Sequence, residues 1–291
     1  MRLIGFGEIL WDLFEDQEHL GGAVLNFCVH ASRLGHDVFP ISAVGADIRG
    51  QRAIEKLSES GLSTRFVHVV TKQATGIVTV TVDSAGEPSY VIHRPAAYDC
   101  VSLNESDFET LAAMGPDWIG YGTLHSMAPN ALHLLRKVMT HLPDARRFYD
   151  VNLRRDSFTK ELVIELLGLG QLVKFNQSEA QVIQGMFGTT EGSLETFCRN
   201  YAARFGWQGV CVTRGEKGCA LLLHDQYEEV AGYPVKVVDT VGAGDAFAAA
   251  FLHGVHAGWP PRKVGEFANR LGSRVASRRG GTPNGILYAG F

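Results

Sequence analysis

Val237-Val238-Asp239-Thr240-Val241-Gly242-Ala243-Gly244-Asp245-Ala246-Phe247 is the stretch on which the reading of this chain turns. An apolar run enters a tight glycine turn and leaves it as a helix. Gly242 and Gly244 let backbone N–H groups approach a ligand closely, and the positive end of the helix dipole attracts anionic oxygen. Such a pocket suits phosphate. Asp245, in the first helical turn, is the odd element, because a carboxylate beside phosphate repels it unless the carboxylate has a task of its own. Alone, Asp245 reads equally as a helix cap. The whole Asp-Thr-x-Gly-Ala-Gly-Asp run is far more specific than one acid or a lone G-x-G.

The chain around this run has a βα rhythm. From about residue 115, short apolar segments at 118–121, 147–151, 172–175 and 210–213 read as strands, and 129–140, 160–167, 178–187 and 193–205 read as helices. That alternation predicts a parallel sheet flanked by helices. The N-terminal half begins alike, with a strand at 3–7 and helices at 26–34 and 49–60, the second closed by Gly61. After the glycine turn, helices at 243–257 and 260–278 are separated by Gly258-Trp259-Pro260-Pro261. Residues 66–94 break the rhythm. β-branched residues at 76–82, a turn at Asp83-Ser84-Ala85-Gly86 and a second strand at 88–92 predict a β-hairpin that stands apart from the main sheet.

The 291 residues are 45% hydrophobic and 20% charged, enough for an extensive core. A net charge of −4 argues against a nucleic-acid or anionic-membrane partner. The five cysteines include no C-x-x-C pair, so reduced thiols in a cytoplasmic protein are expected. Met1 to Glu8 reaches an acid too early for a signal peptide, and no apolar run is long enough to span a bilayer. No G-x-x-x-x-G-K-[ST], H-E-x-x-H or G-x-S-x-G is present, and Gly5-Phe6-Gly7 lacks the third glycine of a dinucleotide fingerprint.

The Gly-Ala-Gly-Asp run resembles the second signature of the ribokinase-like sugar kinases, the PfkB carbohydrate kinases. The resemblance implies that Asp245 is the general base and that the amides of Gly242, Ala243 and Gly244 form an anion hole for the transferred phosphate. Gly21-Gly22, followed by Asn26 at a helix start, resembles the family's first signature and implies a sugar-binding turn. Asp12 stands where members hold sugar hydroxyls. Val44-Gly45-Ala46-Asp47-Ile48-Arg49-Gly50 resembles another family element, in which Asp47 reads as a helix N-cap. Arg94-Pro95-x-Ala97 and Asp150-Val151-Asn152-Leu153-Arg154 resemble segments of fructokinase-like members, which makes Arg94, Asn152 and Arg154 candidates for substrate or phosphate contacts. Residue by residue, each also has an ordinary reading as a turn, a cap or a solvated arginine.

Asn176-x-x-Glu179 resembles the N-x-x-E motif near the metal and phosphates, which implies Mg²⁺ held through water. A cap followed by a first-turn acid is the alternative. Thr213, Gly215 and Gly218 resemble a turn that borders nucleotide, and Asn269 an asparagine beside the adenine. Gly280-Gly281-Thr282-Pro283 resembles the terminal loop that, with Asp239, borders a monovalent-cation (K⁺) site. The fold expected is therefore one ribokinase-like α/β domain over 1–291, with a mostly parallel three-layer sheet and a small β-lid from about 11–20 and 66–98. The function expected is ATP-dependent phosphorylation of a small sugar, fructose or a related hexose first, with 2-keto-3-deoxygluconate, ribose or a nucleoside as other acceptors. The resemblance also implies a homodimer through the lid. A non-catalytic protein that binds sugar or nucleotide is the rival from another class.

Overall fold

The computed structural model describes residues 1–82, 88–154, 157–190, 192–285 and 288. β1 (Arg2–Phe6) lies inside the main sheet, with Leu3 turned to one face and Ile4 and Phe6 to the other. The chain then forms β2 (Leu10–Leu13), β3 (Glu18–Gly21), α1 (Ala23–Arg33), β4 (Asp37–Gly45), α2 (Ile48–Glu59) and β5 (Val67–Val70). β6 (Gly76–Val82), β7 (Pro88–Ile92) and α3 (Glu105–Met114) follow. Alternation takes over with β8 (Trp118–Gly122), a short α4 (Thr123–Ser126), α5 (Pro129–His141), β9 (Arg146–Asp150), α6 (Lys160–Leu169), β10 (Leu172–Asn176), α7 (Gln177–Phe187), α8 (Leu194–Phe205) and β11 (Gly209–Thr213). The hairpin β12 (Cys219–Leu223) and β13 (Gln226–Val230) precedes α9 (Ala243–His256) and α10 (Pro261–Ala276).

The larger sheet has nine strands in the order β13-β12-β11-β10-β9-β8-β1-β4-β5. All pairs from β5 to β11 are parallel, and β12 and β13 close one edge antiparallel. One face packs against α1, α2, α9 and α10, and the other against α3 and α5 to α8. These are the three layers expected of βα alternation. A separate four-stranded sheet, β3-β2-β6-β7, pairs β2 with β6 in parallel.

Helix α1 sits unusually close to the sheet because glycines make room for it. A Cβ on Gly5 would lie 2.0 Å from Cys28 Sγ, one on Gly7 2.2 Å from Val24 Cβ, and one on Gly120 2.8 Å from the Phe27 ring. Gly5-x-Gly7 is thus a packing trench. On α9, Ala246, Ala248, Ala249 and Ala250 are fully buried and allow close packing in the same way.

Two boundaries differ from the sequence reading. α1 begins at Ala23 with Gly22 as N-cap, so Asn26 lies one turn inside the helix rather than at its start. Val67–Val70 is the parallel edge strand of the larger sheet, so the small sheet takes only 76–82 and 88–92 from the 66–98 stretch. The expected turn at Asp83-Ser84-Ala85-Gly86 lies outside the described residues. Asp47 does cap α2, accepting from Gly50 N at 2.8 Å.

Candidate functional site

Gly242 caps α9 in the left-handed region, with φ 74°, and makes no side-chain cap. Asp245 is therefore not the cap. Its Oδ2 accepts a 2.9 Å hydrogen bond from Asn26 Nδ2, across from α1. Burial pushes the Asp245 carboxyl up to about 7, and the Asp150 charge adds to the rise, while Asn26, Lys174 and Arg154 oppose it. A carboxylate poised near neutrality can take a proton from a hydroxyl. Behind the turn stands the C-terminal loop: a Cβ on Gly242 would meet Gly281 O at 2.2 Å, and one on Gly281 would meet Asn26 Nδ2 at 2.8 Å. α1 holds that loop as well, through His30 Nε2 to Gly281 O at 2.9 Å and Arg33 Nη1 to the carbonyls of Thr282 and Pro283.

Beneath the turn is a pair that the sequence reading passed over. Lys174 Nζ donates to both oxygens of Asp150, at 2.8 and 3.0 Å, and lies 3.9 Å from where a Gly244 Cβ would stand. Burial disfavours the Lys174 charge, yet the carboxylates of Asp150 and Glu179 outweigh burial and hold the ammonium on. A fixed cation so close to an amide-lined turn can stabilise developing negative charge. Its signal was hidden because Lys174 and Asp150 are neighbours only through the parallel register of β9 with β10.

Asp12, on β2, faces the same cleft. Its carboxylate fills the space over Gly21, where a Cβ would meet Asp12 Oδ2 at 2.5 Å, and burial raises the carboxyl to about 6 against the pull of Arg154. Gly22, with φ 116°, leaves only 2.4 Å between an added Cβ and Glu8 O. Exposed Arg154 acts electrostatically on Glu8, Asp12 and Asp245 alike, and Asn152 adopts φ 39°, so both expected residues of that loop border the cleft. Tyr90, also missed, shares the inner face of the small sheet with its pair Val80 and feels the charges of Asp239, Arg154 and Asp12. Arg94 is differently placed. Its guanidinium is committed to Asp99 and to Leu124 O, so it serves the base of the small sheet rather than the cleft.

At the carboxyl ends of β10 and β11, Asn176 and Glu179 form a reciprocal cap of α7. Asn176 Oδ1 accepts from Glu179 N at 2.9 Å, and Glu179 Oε2 accepts from Asn176 N at 2.7 Å. Glu179 Oε1 also accepts from Leu153 N at 2.9 Å, tying the helix to the loop that carries Asn152 and Arg154. Each oxygen retains a second acceptor position, so ligation of a metal through water fits and a bare carboxylate clamp does not. Among the described residues no group of three His, Cys, Asp or Glu could hold a metal ion directly.

Thr213 ends β11 beside Asn176, and a short 3₁₀ turn runs Gly215–Lys217. Gly218, with φ 90°, has Val230 O only 2.0 Å from an added Cβ. Asn269 does not present its amide outward: Nδ2 donates to Val230 O and Ala231 O and so fixes the strand end opposite Gly218. Asp239 binds two loops together, accepting from Val241 N at 3.0 Å and Gly280 N at 2.8 Å.

A glycine-opened helix, a near-neutral carboxylate at its first turn and a cleft under a small sheet are the features of a phosphotransferase for a small hydroxylated acceptor. The chain belongs to the pfkB family of carbohydrate kinases, whose family model matches residues 4–286. It is 29% identical over 298 residues to a protein of Pyrococcus horikoshii, covering 96% of this chain and 91% of that protein. It is 27% identical over 278 residues to a fructokinase of Klebsiella pneumoniae, covering 91% and 88%. The solved structure of the P. horikoshii protein, described as an uncharacterized sugar kinase, superimposes with a TM-score of 0.82 at 28% identity over 97% of this chain and 94% of that one. An ATP-bound fructokinase from Xylella fastidiosa superimposes with a TM-score of 0.85 at 20% identity over the same shares, a likeness of fold. No helix among the described residues is long and apolar enough to cross a membrane.

Proposed function

We propose that this carbohydrate kinase transfers the γ-phosphoryl group of ATP to a hydroxyl of fructose or a related hexose, with Asp245 as general base. The observation that carries the reading is the position of Asp245 in the first turn of α9, held by Asn26 at 2.9 Å beside the glycine turn, where burial favours a carboxyl that takes up a proton near neutral pH. Support for ATP comes from the P. horikoshii relative, which is 27% identical in a structure described as an ATP complex. Support for fructose comes from relatives named fructokinase in K. pneumoniae and Vibrio alginolyticus, at 27% and 26% identity.

In this reading Asp12 and Asn152 orient the acceptor and Arg154 neutralises charge at the cleft mouth. Asp245 accepts the proton of the attacking hydroxyl as its oxygen bonds to the γ-phosphorus, and the bond to the bridging oxygen breaks to release ADP. The amides of Gly242, Ala243 and Gly244, with Lys174 below, stabilise the charge that spreads over the transferring group. Thr213, Gly215 and Gly218 border the nucleotide, and Asn269 supports that border from behind. Mg²⁺, reached through water by Asn176 and Glu179, would neutralise phosphate charge. Asp239 would shape a K⁺ site by fixing the carbonyls of its two loops. Comparing turnover in K⁺ and in tetramethylammonium checks that last role, and equal rates would remove it.

A panel of sugars assayed with ATP and Mg²⁺ tests the reading. Fructose or a close hexose should show the highest kcat/KM. A preference for 2-keto-3-deoxygluconate, ribose or a nucleoside would overturn the acceptor.

A further inference from the structure

Glu8 follows β1 and is only 3% exposed. Its two oxygens have different surroundings. Oε1 accepts from Ala23 N at 2.8 Å, at the opening of α1, whereas Oε2 is buried with no hydrogen-bond partner. Burying an unmatched carboxyl oxygen is costly, so a group that persists in this state calls for a partner from outside the chain. Glu8 lines a small cavity at the carboxyl ends of β1, β8 and β9.

That cavity is walled by Val24, Phe27, Phe148 and Leu124 and carries polar groups from Asp150 and Asn152. Its volume is about 20 Å³, room for one water-sized group. The polar neighbours are largely committed. Asp150 is held by Lys174, and Thr123 Oγ1 is engaged by Tyr149 Oη and Val151 O. Of the carboxylates lining the cavity, Glu8 keeps a buried oxygen, Oε2, without a hydrogen-bond partner, beside the Asn152 side chain. Burial holds the Glu8 carboxyl above its ordinary range, against the nearby backbone amides of Glu8, Ala23 and Val24 and the charge of Arg154. Ionised, Oε2 can only accept, so it matches the donor end of a hydroxyl.

We infer that Glu8 is a specificity-determining residue, whose free Oε2 receives one hydroxyl of the acceptor in a pocket with room for one such group. This rests on the sugar-kinase reading above and deepens it: the acceptor is gripped by carboxyl groups from two sides, Asp12 on the small sheet and Glu8 on the main sheet. A neutral polyhydroxylated sugar satisfies both. A sugar acid that turned its carboxylate toward Glu8 would meet like charge in a poorly solvated pocket.

The test uses the whole protein, fructose and its monodeoxy derivatives. E8Q keeps an oxygen for Ala23 N and replaces the second oxygen by an amide donor. It should raise the KM for fructose at least tenfold while the KM for ATP and the melting temperature hold. One deoxyfructose should lose about tenfold in kcat/KM with the wild type and be indistinguishable from fructose with E8Q. E8D, which withdraws the acid by one methylene, should reproduce the KM change, so a folding defect in one variant leaves the other to decide. A fructose KM within twofold of wild type in the folded variants overturns the inference and leaves the pocket to water. No sugar-dependent ADP formation by the wild type overturns the sugar reading itself, and this inference with it.

Discussion

Ionised Asp245 is unfavourable for folding and necessary for turnover in the proposed mechanism. Its folded pKa, about 7, is raised above the ordinary 3.8, so its ionisation disfavours the folded state as pH rises through the folded value. Below the ordinary value both states are protonated and no penalty remains. Asp245→Asn should therefore raise the melting temperature at pH 8 by several degrees, on the order of 2 kcal/mol, with the gain vanishing below about pH 4. The same variant should lose roughly 10²- to 10⁴-fold in kcat with sugar binding retained. For the wild type, kcat/KM should climb about tenfold per pH step up to about 7 and then level. Calorimetry and a pH–rate profile check both; a flat profile between pH 5 and 8 would remove Asp245 as base.

At the scale of elements, the glycine turn makes a contrast between two superficially equal residues. Gly242 needs its left-handed φ of 74° and has Gly281 O 2.2 Å from an added Cβ, whereas Gly244 would meet only Lys174 Nζ at 3.9 Å. Gly242→Ala should lose activity by 100-fold or more and lower the melting temperature; Gly244→Ala should keep the melting temperature of the wild type and lose activity alone, because its Cβ would meet phosphate rather than protein. Equal effects would mean that this backing by the C-terminal loop is unimportant. Much of this element was legible in the chain, because a turn, a cap such as Asp47 and the βα rhythm are encoded by adjacent residues. What stayed hidden arises between elements. Lys174 acquires its partner through strand register, Asn26 acquires Asp245 through the seating of α1 on α9, and Val67–Val70 was absorbed into the hairpin region because four residues carry too little pattern to declare which sheet they join. Arg94 and Asn269 show the same limit: each sits at its motif position, while its side chain has local partners that only the fold supplies.

At the scale of the molecule, the small sheet is fastened on one side. Glu18 bridges Arg49 and Arg52 of α2, Trp11 lies under Arg52 at 4.4 Å, and Asp47 grips Thr75 at the entry to β6. The opposite edge, β7, exposes Tyr90 and Val91 by 48% and 51%. We propose that the sheet is a lid that closes on sugar and excludes water, so ATP hydrolysis should differ with and without sugar; equal rates would sink this. The exposed edge also suits pairing of two lids in a homodimer, which sedimentation velocity should register as a dimer in the wild type and a monomer in Val91→Asp. α1, lodged in its glycine trench, runs from the acceptor side to the phosphate turn: its cap Gly22 stands at the acceptor side, Asn26 at the base, and His30 and Arg33 at the loop behind the turn. That helix works as a ruler whose zero is set where Val24, Phe27 and Cys28 press on the bare backbone of Gly5, Gly7 and Gly120. Acceptor preference can thus drift through substitutions in the lid and the Glu8 pocket while the calibration between base and phosphate stays fixed.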